Sequence, residues 1–247
     1  MAELSVHSLM HWLDQCPTPF HVVERAGTVL NSAGYSSTNS LTKDLPIKGY
    51  LSLDGALVAW HMGTPSGSLR IIGAHTDSPN LRVRPNPDIV TAGWSQLGVE
   101  IYGGVLLNSW LDRDLGIAGR VIDAAGNAHL FSVASPVARI PQLAIHLDRE
   151  VSERGLLLDR QQHMNPVWGL NAPSFTEWLR SVTGVEAVSY DAHLFDVTTA
   201  QLVGNKQEFL ASARLDNQVS CWAAVEALTS SPSSDDTYII VLNDHEE

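Results

Sequence analysis

The chain has 247 residues, of which 44% are hydrophobic, enough to bury a core in one large domain or two smaller ones. Its 27 acidic and 15 basic side chains give a formal charge of −12 at pH 7, which argues against nucleic acid or an anionic membrane as a partner. The charge does not exclude an acidic substrate, because a local basic pocket can override the global field.

The first predicted elements are two helices and a β-hairpin. Apolar residues at helical spacing predict one helix over 6–13, closed by Pro17, and a second over 20–33, ended by Gly34. The runs 51–53 and 56–60 flank Asp54-Gly55, a pair that suits a type I′ turn, and so predict a hairpin.

The next predicted strand, over 69–74, ends in His75-Thr76-Asp77. A histidine that leaves a strand, with an aspartate two positions further on, suits a metal ligand backed by a carboxylate. That carboxylate can either hold the imidazole or bind metal itself.

The middle of the chain has a different pattern. From about residue 91 to 204, short alternating runs are separated by glycine and asparagine turns, which favours β structure. Because an α/β pattern lies on both sides, we predict an α/β catalytic domain over 1–91 and 205–247, interrupted by a β-rich segment over 92–204.

The last predicted elements are a helix from about 217 to 228, a polar loop, and a buried strand over 238–242 that precedes Asp244-His245-Glu246-Glu247. Adjacent carboxylates at a strand's carboxyl end lie where open α/β sheets bind ligands. They repel each other unless a cation or a proton lies between them, which favours a metal site. Asp216 can reach the same place from the start of the helix, or it can be the N-cap of that helix.

Cysteine content and hydropathy indicate where the protein is located. Cys16 and Cys221 lie far apart in segments with helical patterns, so they predict neither a disulfide framework nor a Cys-type zinc site. We interpret them as buried thiols in a reducing compartment. The sequence shows no cleavable leader pattern and no apolar run of membrane length, and we expect a cytoplasmic protein.

Several of these segments together resemble the aspartyl aminopeptidases, a family of two-metal peptidases. The similar segments follow the family's order: 17–21 (PTPFH), 73–83 (GAHTDSPNLRV), 98–104 (GVEIYGG), 110–115 (WLDRDL), 140–147 (IPQLAIHL), 214–217 (RLDN) and 244–247 (DHEE). The resemblance implies a zinc-aminopeptidase-like catalytic domain whose sheet is flanked by helices, with 92–204 as an inserted β-rich dimerisation domain. It also implies removal of N-terminal Asp or Glu from peptides by a large homo-oligomer, in which dimers assemble into a dodecamer.

The resemblance also assigns roles to single residues. His75 would bind one metal, Asp216 would bridge two, and Glu247 would bind the other. Glu246 would be the general base, and Asp77 would hold His75 through its remote ring nitrogen. Sequence order alone does not fix which of Glu246 and Glu247 faces the metal. Imidazole and carboxylate ligands without thiolate suit zinc, with manganese or cobalt tolerable.

Two further histidines have competing interpretations. His146, in an apolar run, is most simply a hydrogen-bonded strand residue, whereas the resemblance implies that it reaches a neighbouring subunit's active site and helps bind substrate or stabilise the transition state. We expect His245 not to be a ligand, because strand alternation points it away from one of its neighbours.

One departure from the family pattern limits the prediction. The family's metal set includes a further aspartate and a further histidine beyond the Glu-Glu pair. The family's pocket for the acidic side chain of the substrate also relies partly on that region. The chain therefore resembles a family member that lacks its C-terminal part. If these residues were the whole molecule, we would expect weak or single-metal binding and little turnover. Two alternatives are a related metal-dependent deacylase or carboxypeptidase, which segments 98–104 and 140–147 disfavour, and a catalytically silent oligomerising module.

Overall fold

The computed structural model describes residues 5–41 and 44–247. Residues 1–4 and 42–43, which belong to the expected catalytic segment 1–91, lie outside the described residues. The chain forms two compact units, one comprising Met1–Ser78 and Thr199–Glu247 and the other Pro79–Thr198. The second unit begins directly after Ser78, because the strand that starts at Asn80 already belongs to its sheet.

The secondary structure consists of five α-helices, a short 3₁₀ helix at Leu107–Trp110 and thirteen strands in the described residues. In chain order they are α1 (Val6–Gln15), α2 (Pro19–Ser32), β1 (Ser36–Ser37), β2 (Lys48–Leu53), β3 (Ala56–His61), β4 (Leu69–His75), β5 (Asn80–Thr91), β6 (Trp94–Tyr102), β7 (Leu115–Ile122), β8 (Ala128–Ala138), α3 (Val151–Arg154), β9 (Val167–Gly169), α4 (Phe175–Thr183), β10 (Ser189–Asp196), β11 (Gln201–Val203), β12 (Phe209–Ala211), α5 (Leu215–Ser230) and β13 (Thr237–Asn243). None of the described helices is both long and apolar enough to cross a membrane.

The two N-terminal helices confirm the sequence pattern, and local chemistry explains where each begins. Ser5 caps α1, since its hydroxyl oxygen accepts a hydrogen bond from the Ser8 amide at 3.2 Å. Pro19 occupies the first turn of α2, where its missing N–H has no helical partner to lose. Both helices bury one face, so packing adds to these terminal contacts.

The predicted hairpin is present as β2 and β3, but its turn is not type I′. Asp54 has φ +52°, whereas Gly55 lacks the positive φ that a type I′ turn needs at its second central residue. The expected turn type was therefore wrong. Gly55 instead allows the turn to approach Asp244 closely, because a Cβ placed on residue 55 would lie 2.1 Å from Asp244 Oδ2.

The first unit contains a five-stranded sheet in the order β1-β2-β3-β13-β4. β13 runs antiparallel to β3 and parallel to β4, with Asn243 opposite His75. Side chains from α2, α5 and one face of the sheet form its core, which includes Val22, Ala26, Leu30, Leu57, Ala59, Val225, Leu228, Ile240 and Leu242. β13 was predicted to be buried, yet only Ile240 and Leu242 are fully buried, because the helices cover one face and alternate residues point to the other.

The second unit is built on a six-stranded antiparallel sheet in the order β8-β7-β10-β5-β6-β9. α4 contributes Phe175 and Leu179 to its core, and a capping box between Ser174 and Glu177 fixes the start of that helix. This unit has a separate core from the first, which is the property expected of an independent domain.

Candidate metal centre

The candidate site lies where two neighbouring parallel strands end. His75 is the last residue of β4, and its partner Asn243 is the last residue of β13. The carboxyl ends of β4 and β13 therefore meet at one edge of the sheet, and the segment 244–247 begins beside His75. This edge is where open α/β sheets place their ligands.

The imidazole of His75 faces two carboxylates. Its Nε2 lies 3.3 Å from Asp216 Oδ1 and 3.7 Å from Glu246 Oε2. The His75 side chain is 12% exposed, while those of Asp216 and Glu246 are 87% and 61% exposed. A mostly buried imidazole thus meets two solvent-exposed carboxylates.

The other ring nitrogen of His75 faces Asp77. Nδ1 lies 3.1 Å from the Asp77 main-chain oxygen and 3.3 Å from its Oδ1, and Asp77 itself is completely buried. When Nδ1 carries the ring proton it donates to Asp77, and the lone pair of Nε2 is left for a cation. The geometry suits the orienting role that the resemblance implies for Asp77.

Asp77 also ties together the two segments of the site. Its Oδ2 accepts a hydrogen bond from the Glu247 backbone amide at 3.1 Å. The main chain at Glu247 is therefore fixed to the loop that follows β4, while the Glu247 side chain is exposed. The carboxylate of the neighbouring Glu246 lies close to His75 Nε2.

Asp216 reaches His75 because it does not have helical geometry. Arg214 before it has φ +59°, and Asp216 has extended φ and ψ of −83° and 115°. The carboxylate consequently projects from the start of α5 toward β4 instead of following the helical spiral.

Side chains of α5 hold the backbone of the β4 loop. Cys221 Sγ donates to the His75 carbonyl at 3.0 Å, and Gln218 Nε2 donates to the Thr76 carbonyl at 2.7 Å. The Gln218 Oε1 accepts from Trp12 Nε1 at 3.2 Å, so both ends of this buried amide are used. Burial, with a smaller contribution from Asp77, raises the pKa of Cys221 to about 12, which keeps it a thiol donor.

Sequence reasoning missed Gln218 and the structural role of Cys221. Cys221 was correctly expected to be a buried thiol, and Cys16 and Cys221 are both buried and free. A buried amide on an otherwise apolar helix face was the available signal for Gln218, because such a group needs partners.

The chemistry and spacing of these side chains fit a zinc ion. Two ligands that share a tetrahedral zinc at about 2.0–2.1 Å lie about 3.3 Å apart, and His75 Nε2 and Asp216 Oδ1 are separated by 3.3 Å. Imidazole and carboxylate are both normal zinc ligands. Within residues 5–41 and 44–247, no three His, Cys, Asp or Glu side chains form a complete ligand set.

Two other histidines differ from the sequence interpretation. His146 lies in an exposed turn over 145–147, not in a strand, so its simplest interpretation as a strand residue was wrong; the proline at 141 precedes a segment without regular structure. His245 is exposed, has φ +67° and follows the end of β13, so strand alternation does not govern its direction. Its Nε2 lies 3.6 Å from Asp244 Oδ2.

Comparison with known proteins shows the family to which the chain belongs. Residues 12–247 match the family model described as aminopeptidase I zinc metalloprotease (M18). A probable M18 family aminopeptidase 2 of Streptomyces avermitilis is 43% identical over 255 residues, with 97% of this chain and 59% of that protein covered. The chain therefore belongs to the M18 family of zinc metalloproteases, and it spans 59% of the length of that relative.

Solved structures share the fold. The chain superposes on Chaetomium thermophilum mApe1 with a TM-score of 0.86 and 28% identity, covering 97% of this chain and 62% of that one. It superposes on the S. cerevisiae mApe1 dodecamer with a TM-score of 0.79 and 27% identity, covering 97% and 60% of the two chains. The fold is thus the predicted α/β one, with sheets flanked by helices.

Proposed function

We propose that this protein is a zinc-dependent aminopeptidase that removes acidic residues from the N-termini of peptides. The observation that carries the proposal is the convergence of His75 Nε2 on Asp216 Oδ1 and Glu246 Oε2 at the carboxyl ends of β4 and β13. Family membership supports the peptidase chemistry. The preference for Asp or Glu rests on the resemblance to aspartyl aminopeptidases.

The proposed site uses two divalent ions, held in part by His75, Asp216 and one of the two glutamates. Zinc held there would supply a Lewis acid that polarises the scissile carbonyl and would make a water nucleophilic near neutral pH. The remaining glutamate takes the proton of that water and returns it to the departing amine. In family order Glu247 is the ligand and Glu246 the base, while the position of Glu246 beside His75 supports the reverse order as the alternative.

The proposed working form is a homo-oligomer. The similarity to a dodecameric mApe1 supports it, and the segment 92–204 would provide the dimer contacts. His146, exposed on a turn, would then enter a neighbouring subunit's active site. We further propose that the protein is cytoplasmic and acts on peptides without nucleic-acid or membrane partners.

Metal content and substrate preference test the proposal in the natural full-length protein. We expect close to two zinc ions per chain by atomic emission, and faster hydrolysis of an aspartyl than of a leucyl chromogenic substrate. A metal content near zero would support the silent oligomerising module instead. Faster cleavage of the leucyl substrate would remove the acidic preference and leave the aminopeptidase in place.

A chelator control separates metal chemistry from contaminating activity. Dialysis against a chelator should abolish hydrolysis, and added zinc should restore it, with manganese or cobalt as permissible replacements. Activity that survives metal removal would contradict the proposed chemistry.

A further inference from the structure

Thr76 lies between His75 and Asp77, but its side chain is turned into the protein. It is 1% exposed, so it has no access to substrate. Its hydroxyl Oγ1 donates to the Gly55 carbonyl at 2.6 Å and lies 3.0 Å from the Asn243 carbonyl. Its backbone amide donates to the same Asn243 oxygen at 2.7 Å. One residue therefore joins β4, the β2–β3 turn and the end of β13.

Gly55 completes this connection from the other side. A Cβ on Gly55 would lie 2.1 Å from Asp244 Oδ2 and 2.9 Å from Pro19 Cβ, both closer than real Cβ contacts. A side chain at residue 55 would therefore force Asp244 and Pro19 to move away from the turn. Asp244 in turn accepts the His245 amide at 2.9 Å, which shapes the segment that leads to Glu246.

The contact of Thr76 with the turn and the contact of Asp244 with Gly55 both affect the distance between the His75 imidazole and the Glu246 side chain. His75 is fixed to Thr76 by the chain, and Glu246 is fixed to Asp244 by two peptide bonds. Holding Thr76 and Asp244 against one turn consequently sets how far apart the imidazole and the glutamate lie. A buried hydroxyl that donates to the Gly55 carbonyl, with the Asn243 carbonyl also within reach, does this with little freedom, because an unpaired buried carbonyl is costly.

We propose that Thr76 and Gly55 are positioning residues that set the spacing between His75 and the Glu246–Glu247 pair. The inference rests on the proposed aminopeptidase function and adds two residues that touch neither substrate nor metal. Catalytic groups need to be held within about 0.5 Å of the productive geometry, and a displacement of about 1 Å can cost about 100-fold in rate. We call the contacts of Thr76 and Asp244 with the turn at Gly55 the clamp. We expect the clamp to affect kcat and metal affinity more than KM.

Substitutions at Thr76 separate the hydroxyl from the shape of the side chain. Thr76→Val keeps the volume and removes the donor, so we expect at least about a tenfold loss of kcat, a KM within about threefold and weaker zinc binding. Thr76→Ser keeps the donor and should recover most of the lost kcat and zinc affinity. Equal losses in both variants would overturn the proposal, because they would trace the defect to packing.

Gly55 and Gly73 form a matched pair for the close contact. Gly55→Ala introduces the clash with Asp244, whereas a Cβ on Gly73 in β4 meets nothing within 4 Å. We expect Gly55→Ala to lower kcat and zinc affinity and Gly73→Ala to leave both unchanged at a similar melting temperature. If Gly55→Ala fails to fold, the Thr76 pair alone decides.

Zinc affinity, titrated without substrate, keeps this test distinct from that of the proposed function. A wild-type protein that binds zinc but hydrolyses no aminoacyl substrate would contradict the function, while weaker binding in Thr76→Val with rescue in Thr76→Ser would still support the clamp. Wild-type kcat and wild-type zinc affinity in Thr76→Val would overturn the clamp whatever the substrate.

Discussion

At the scale of single residues, the two nitrogens of His75 have separate tasks. Nδ1 faces the buried Asp77, and Nε2 faces Asp216 and Glu246, which are both exposed. This division fixes the direction of the imidazole before any ligand arrives. It also brings Glu246 close enough to serve either as ligand or as base.

Substitution of each glutamate by glutamine decides between these roles. With the family order, Glu246→Gln keeps its zinc and loses at least about 100-fold in kcat, because the proton carrier is gone. Glu247→Gln instead loses metal. Zinc stoichiometry and kcat, measured on both variants, give the answer; the opposite pattern would assign the ligand to Glu246 and the base to Glu247.

His61, outside the site, makes stability depend on pH. Its ring lies 6.4 Å from those of Tyr35 and Tyr238, and its Nδ1 lies 3.2 Å from Ser231 Oγ. Burial, and then the Lys48 ammonium group, lowers the pKa of His61 below its usual 6.5. The unfolded chain therefore takes up this proton first, and the stability that neutral His61 contributes is lost as the pH falls below about 6.5 toward the lower folded value.

We expect the urea midpoint of the wild type to fall between pH 7.5 and pH 5 more steeply than that of His61→Gln, which has no proton to gain. The comparison between the two proteins cancels the other histidines. Parallel pH profiles would show that His61 does not carry this dependence.

At the scale of elements, the β2–β3 hairpin supports both the core and the site. Leu57 in β3 is completely buried, whereas Leu53 in β2 is 56% exposed. Leu57→Ala should lower the free energy of unfolding by about 2–5 kcal/mol through lost burial and a cavity. Leu53→Ala, four residues away, should change it by less than about 0.5 kcal/mol. Chemical denaturation monitored by circular dichroism checks both, and equal effects would contradict the packing described for this hairpin.

Elements with local signals were predictable from the sequence. The spacing of Leu9 and Leu13 and the Asp54-Gly55 pair indicated a helix and a hairpin, because each depends on residues a few positions apart. The turn type was missed because the conformation at Gly55 is set by its close packing against Asp244, which is far away in sequence. Long-range packing of this kind leaves no local periodicity.

For the candidate site, too, local signals were readable from the sequence and long-range contacts were not. The types of residue at 75, 77, 216 and 246 indicated metal chemistry, but strand order could not be read from them. The parallel pairing of β13 with β4, which brings Asn243 opposite His75, depends on contacts across most of the chain. The bonds from Gln218 and Cys221 to the β4 loop likewise required the position of α5.

At the scale of the whole molecule, the role proposed for His146 requires the proposed oligomer. Its exposed turn carries the apolar neighbours Ile145 and Leu147, which are 49% and 75% exposed. If His146 enters a neighbouring subunit's active site as proposed, the His146→Ala variant should lose activity at unchanged zinc content. Hydrolysis of the aspartyl substrate and metal analysis measure the two effects.

Mixed oligomers provide the sharper measurement. Co-assembly of His146→Ala subunits with Glu246→Gln subunits should produce sites that combine an intact Glu246 with a partner's intact His146, and activity should exceed that of either variant alone. Mixtures that only average the two activities would place His146 within its own subunit's site or outside every site.

The order of strands in the first sheet also governs how the chain is made. The partner of β4 in that sheet is β13, which the ribosome adds about 170 residues later, roughly ten to thirty seconds at ordinary rates of translation. Residues 79–198 emerge entirely within that interval and contain a complete sheet and core. The second unit is therefore able to fold during translation, while β4 still lacks the strand that pairs with it in the first sheet.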